Sequence, residues 1–280
     1  MRRPWVILIV LLQIIATGWA ADAQVPAAEK AACADGSDPN LSTGDCLGAS
    51  LLRGSAITNP ALPFFNQGVA DTQKGQYDQA INDYDKALSL NPNFAPAFHN
   101  RGSVYAHKGQ DDRAIQDYNE AIRLNPDYAV TFDTRGAAYF RKGQYDRAIQ
   151  DFDKALQLNP SYAYAYLQRG LAYTSKGQYN RAIQDYDEAI RLNPNDAIMF
   201  SSRGRAYIQS RQYDRAIQDL DQALRLDPGS AAGFSLRGAA YADKGQYKRA
   251  IQDYDQALRL NPNDTLTVNS RAMAYARDTR

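Results

Sequence analysis

The chain has 280 residues, with 32 lysines and arginines against 31 aspartates and glutamates and a net charge of +1. So balanced a chain projects no large field, which argues against nucleic acid as a partner. Hydrophobic residues make up 44 % and charged residues 22 %, a mixture that suits a soluble body and excludes a polar, disordered chain.

The amino terminus reads as a secretory signal peptide over residues 1–23. Met1-Arg2-Arg3 supplies the basic start, Val6–Ile15 the apolar run and Ala21-Asp22-Ala23 the small-residue cleavage region. Cleavage is expected before Gln24. The apolar run is short of the roughly 20 residues that span a bilayer, although an uncleaved anchor is the alternative. Removing this segment takes away Arg2, Arg3 and Asp22 and leaves 30 basic and 30 acidic residues. The mature chain is therefore expected in the periplasm or secreted, without membrane insertion.

Residues 24–60 change character. Asp35-Gly36-Ser37-Asp38-Pro39-Asn40 and scattered glycines and prolines read as a flexible tether, with a short helix expected near Leu41–Leu52. The only cysteines, Cys33 and Cys46, lie in it. In an oxidising compartment this even pair is expected to close a disulfide, for about 3 kcal/mol at best by the loop-entropy model. Two free thiols in a tail are the alternative.

From residue 61 the sequence repeats. Pro92, Pro126, Pro160, Pro194, Pro228 and Pro262 recur every 34 residues, as do Gly68 to Gly238, Ala80 to Ala250 and Ala87 to Ala257. Four residue series in phase over six periods mark a stack of supersecondary units, with boundaries 61–94, 95–128, 129–162, 163–196, 197–230 and 231–264. In the third unit, Val130, Phe132, Tyr139 and Phe140 fall on helical spacing, and so do Tyr145, Ile149, Phe152, Leu156 and Leu158. Lys142-Gly143-Gln144 turns between the two helices, and Asn159-Pro160 stops the second. Gly136, Ala148 and Ala155 are expected to let the two backbones approach, with aromatic rings at the flanks. Residues 265–280 read as one closing helix with a polar end, made by Arg277, Asp278 and Arg280.

The pattern F-x3-G-x2-Y…G-x-Y-x2-A-x3-[FY]-x2-A-x4-P runs from Phe98 to Pro126, with Asp111 at its second-helix tyrosine, and again downstream. It resembles the tetratricopeptide repeat (TPR) family. The resemblance covers about residues 61–280 and implies an all-α, right-handed α-solenoid of six helix-turn-helix repeats plus a carboxy-terminal capping helix. It also implies partner binding without chemistry on a concave surface lined by the first helices.

Departures between repeats carry further expectations. Arg101, Arg135, Arg169, Arg203, Arg237 and Arg271 recur, but the first repeat has Gln67 instead. The arginines therefore face the preceding repeat, and a ladder Asp83–Arg101, Asp117–Arg135 and onward is expected. The neighbouring series Asp85, Asp153, Asp187, Asp221 and Asp255, broken by Asn119, is the competing partner, and a solvated charged face is the bland reading. Asp111 removes an aromatic from the second repeat. Ser210-Arg211 replaces Lys-Gly at the fifth turn, which must be strained or reshaped.

Offsets of three, four and seven along the first helices place His99, Asp133, Phe140, Tyr164, Leu167, Leu171 and Arg205 on the inner stripe, with Tyr128 and Tyr162 at its rim. Aromatic-lined grooves suit an extended peptide or an amphipathic helix. For these rings, packing between repeats is the competing role. The lysine–asparagine clamp that some family members use for a terminal carboxylate has no counterpart here.

The function expected is a non-catalytic protein-interaction scaffold of the cell envelope. A glycan-binding part of polysaccharide export or cell-wall machinery is the second reading, and an enzyme the third. His99 and His107 lie eight residues apart on one helix, about 12 Å, too far to share a metal. No nucleophile–base pair, phosphate loop or zinc spacing occurs, so neither cofactor nor metal is expected.

Overall fold

The computed structural model describes residues 59–279. The signal peptide, nearly all of the tether and the Cys33–Cys46 pair lie outside the described residues.

Among those residues the chain is all-α, with thirteen helices and no strand, and belongs to the solenoid class expected from the repeat. Two compact units divide between Lys142 and Gly143. The amino-terminal unit holds α1 (Leu62–Gln73), α2 (Tyr77–Leu90), α3 (Ala95–His107), α4 (Asp111–Leu124) and α5 (Ala129–Arg141). The carboxy-terminal unit holds α6 (Tyr145–Leu158), α7 (Ala163–Ser175), α8 (Tyr179–Leu192) and α9 (Ala197–Gln209), then α10 (Tyr213–Leu226), α11 (Ala231–Asp243), α12 (Tyr247–Leu260) and α13 (Thr265–Asp278). Within each unit every helix packs on the next, and each first helix also touches the following first helix. On α13, Val268, Met273 and Tyr275 remain exposed.

The turns inside the repeats are Schellman motifs. After α1, Gln76 N–H donates to Asp71 C=O at 2.8 Å and Gly75 N–H to Thr72 C=O at 3.0 Å, with Gly75 at φ +73°. The fifth repeat keeps this geometry without its glycine. Gln212 N–H reaches Tyr207 C=O at 2.8 Å, Arg211 N–H reaches Ile208 C=O at 3.0 Å, and Arg211 sits at φ +63°. The turn is thus strained, not reshaped. Arg211→Gly relieves left-handed strain of about 1–2 kcal/mol and gives back part of it as unfolded-chain entropy. A net gain of about 1 kcal/mol is expected in urea unfolding; a loss would mean that the arginine side chain contributes more than its backbone costs.

The small residues of the first helices make room for a ring. A Cβ added at Gly68 would lie 2.8 Å from Tyr84 Cε1, and at Gly238 2.8 Å from Tyr254 Cε1. Backbone approach is the lesser contact, at 3.2 Å to Ala114 C=O for Gly102. The rings Tyr84, Tyr118, Phe152 and Tyr186 are buried at the centre rather than placed at the flanks. The tyrosine hydroxyls find partners in the first helices: Tyr118 donates to Ser103 Oγ at 3.2 Å, and Tyr186 meets Thr174 Oγ1 at 3.1 Å. Burial pushes the Tyr118 phenol up to about 12.

The arginines do face the preceding repeat, through the competing Asp85 series and not through the Asp83–Arg101 ladder. Arg101 directs Nε (2.8 Å) and Nη2 (2.6 Å) at Asp117 of its own repeat, and Nη1 at Asp85 of the one before. Arg203 repeats this with Asp219 and Asp187, and Arg237 with Asp253 and Asp221. Each guanidinium therefore ties three helices together. Where Asn119 interrupts the outer series, Arg135 donates to its amide oxygen at 2.7 Å. Asp83, which has Gln67 in place of an arginine, takes Lys86 at 2.9 Å.

Candidate functional site: the first-helix face

In the amino-terminal unit the face is built on His99 of α3. Its Nδ1 lies 3.0 Å from Thr131 Oγ1 of α5, and its ring sits 5.7 Å from Tyr118 and 5.6 Å, edge-on, from Tyr128. Burial pushes the imidazole down to about 4, so it is neutral at pH 7 and acts through hydrogen bonding and shape. Tyr128 is half-buried beside it, while Asp133 and Phe140 are buried. A partner therefore reaches Phe140 only at an edge.

At the far end of the same helices, Tyr77 stacks on His107 at 5.6 Å with 12° between the planes. In the next repeat Asp111 replaces that tyrosine, and Arg141 replaces the histidine. Arg141 Nε and Nη2 hold Asp111 Oδ1 at 2.9 and 2.6 Å. The lost aromatic contact is exchanged for an ion pair, so the second repeat is not simply weakened.

In the carboxy-terminal unit Tyr164 of α7 donates its hydroxyl to Asp196 Oδ2 at 3.1 Å, and Asp196 also caps α9 by accepting Ile198 N–H at 2.8 Å. That anchor aligns Tyr164 with the next first helix. Leu167 and Leu171 are buried and serve as wall; Tyr162 is half-buried. Arg205 of α9 is buried too, at 9 % exposure. The structure thus gathers His99, Tyr128, Asp133 and Phe140 in one unit, and Tyr162, Tyr164, Leu167, Leu171 and Arg205 in the other.

Sequence reasoning missed Thr131 and Asp196, which hold His99 and Tyr164 in place. The signal was a spacing of 32, seen in His99–Thr131, Tyr164–Asp196 and the 2.7 Å Ser235–Thr267 contact. Among the described residues no group of three His, Cys, Asp or Glu side chains could hold a metal, and no helix is long and apolar enough to cross a membrane.

The repeated glycine-on-ring packing and the Schellman turns coincide with family models. TPR repeat models match residues 68–109, 136–174 and 170–211, and tetratricopeptide repeat models match 95–128 and 202–265. The chain belongs to the tetratricopeptide repeat family. Among solved TPR structures, a chain of the APC/C hetero-tetramer Cut9–Hcn1 is similar at 22 % identity and TM-score 0.68, over 78 % of this chain. This protein spans only 43 % of that chain. MamA is similar at 30 % identity and TM-score 0.54, over 57 % of this chain and 94 % of its own. YrrB, titled a TPR protein with an unusual peptide-binding site, is similar at 24 % identity and TM-score 0.56, over 68 % of this chain and 97 % of its own. No curated protein matches the chain in sequence.

Proposed function

We propose that this TPR protein is an exported, non-catalytic scaffold of the cell envelope that holds an extended peptide or a helix of a partner protein on its first-helix faces. One contrast carries the reading. The positions that build the frame hardly change from repeat to repeat, whereas those on the first-helix stripe vary in chemistry along the stack. One stripe position runs His99, Asp133, Leu167, Ser201, Ser235, and another Ser103, Ala137, Leu171, Arg205, Ala239. Packing that repeats needs repeated residues; a surface read by a specific ligand needs different ones. The envelope location rests on residues 1–23, and the peptide reading is in keeping with the fold shared with YrrB.

The test uses the mature chain as bait in envelope extracts, beside a variant carrying Ile198→Glu and Ser201→Glu. Specific protein partners held by the wild type and lost by the variant are expected, at least tenfold. Retention of sugar polymers, equal in both and independent of protein, would replace this reading with the glycan one.

A further inference from the structure

Arg205 differs from every other arginine that builds the repeats. Its side chain is buried, among the described residues it has neither a hydrogen bond nor an ion pair, and its Nη2 is shut off from solvent without a partner there. Three residues before it on the same helix, the buried Ser202 Oγ also lacks a partner. The nearest helix positions, Ser201 to Gln209, hold no carboxylate. The group that senses its charge is the Tyr186 phenol, whose hydroxyl is already engaged with Thr174. Burial works against the charged form, but an arginine keeps its proton under any physiological condition. A desolvated cation with no counter-charge is costly, and the frame does not require it: the same position holds Val69, Ser103, Ala137, Leu171 and Ala239 in the other repeats.

We propose that Arg205 is the receptor for a carboxylate of the bound peptide, an aspartate or glutamate side chain laid on α9. The inference rests on the first-helix face being a peptide surface and adds the chemistry of its ligand. A carboxylate that enters beside the guanidinium would supply the counter-charge that it lacks among the described residues. In this dry setting the pair would discriminate strongly between an acid and its amide.

The probe is an array of 12-residue peptides in which each aspartate- or glutamate-containing member is paired with its asparagine or glutamine analogue. The mature wild-type chain is expected to bind acidic members at least tenfold more strongly than their amide analogues. Arg205→Leu, which installs the residue the fourth repeat already has, is expected to abolish that preference, to keep binding of neutral peptides and to melt at a higher temperature. Acid and amide bound equally by the wild type would overturn this inference alone. So would a lower melting temperature for Arg205→Leu, which would give the guanidinium a structural role. No peptide binding at all would overturn the peptide surface and this inference together.

Discussion

Arg169→Met is expected to destabilise the carboxy-terminal unit by about 3 kcal/mol, the cost of stripping one partner from a buried ion pair. Arg169 holds Asp185 with Nε at 2.9 Å and Nη2 at 2.6 Å, and Asp153 with Nη1 at 2.6 Å. Asp185 is the member that matters: its side chain is only 7 % exposed, against 51 % for Asp153. Without the guanidinium that carboxylate stays desolvated and unpaired. Arg271→Met is the internal control. Among the described residues Arg271 pairs only with Asp255, at 2.6 Å, and both side chains are about one-third exposed, so its loss is expected to cost no more than about 0.5 kcal/mol. Adding Asp185→Leu to Arg169→Met should recover more than half of the loss, because an apolar pair replaces a buried ionic one at little net cost. Urea unfolding with repeat-resolved hydrogen exchange reads all three. Equal losses at 169 and 271 would contradict the three-helix tie.

The second large effect is expected at Gly170. A Cβ there would stand 2.6 Å from Tyr186 Cε1 and 3.0 Å from Cδ1 and Cζ. Tyr186 is fully buried and its hydroxyl is held by Thr174, so the ring has nowhere to retreat. Gly170→Val should cost about 3 kcal/mol by overpacking, although glycine is itself a poor helix former by about 1 kcal/mol. Combining Gly170→Ala with Tyr186→Leu should lose clearly less than the two single changes together, since each relieves the other's fault. Additive losses would mean that the glycine and the ring do not share one contact.

The frame was legible because its demands recur. Turn, ring and helix stop need particular residue types at fixed places, and six copies make the period unmistakable. The partners of Arg101 were legible only in part, with Asp85 as the competing choice and Asp117 not foreseen. Asp83 and Asp85 are two positions apart on one helix and point to different sides, and only the crossing of α2 with α3 and α4 decides that Asp85 and Asp117 share the guanidinium. A spacing of 30 could have been read and was not. Asp78–Lys108, Asp112–Lys142, Asp146–Lys176 and Asp214–Lys244 are ion pairs at that separation. Where the aspartate becomes Asn180 the lysine becomes Ser210, and at the last such positions the charges are exchanged, with Lys248 first and Asp278 second.

The candidate site was legible only as a stripe. Helical offsets put Phe140, Leu167, Leu171 and Arg205 on it, but not their depth, because depth is set by how far neighbouring helices close over each side chain. Ser103 and Ser201 stay partly open, while Phe140, Leu167 and Leu171 sink from view. Nor could the sequence reveal that Arg205 lacks a counter-charge among the described residues, since that depends on which side chains the packed helices bring near it.

The account rests on a constant frame presenting a variable first-helix face, and photo-crosslinking in exporting cells tests it most directly. Crosslinkers are placed singly at Ser103, Thr174 and Ser201 on first helices, and at the exposed Gln116, Gln184 and Gln218 on second helices. Adducts to the same partner protein are expected from the first-helix positions and not from the others. Adducts confined to Gln116, Gln184 and Gln218 would contradict it.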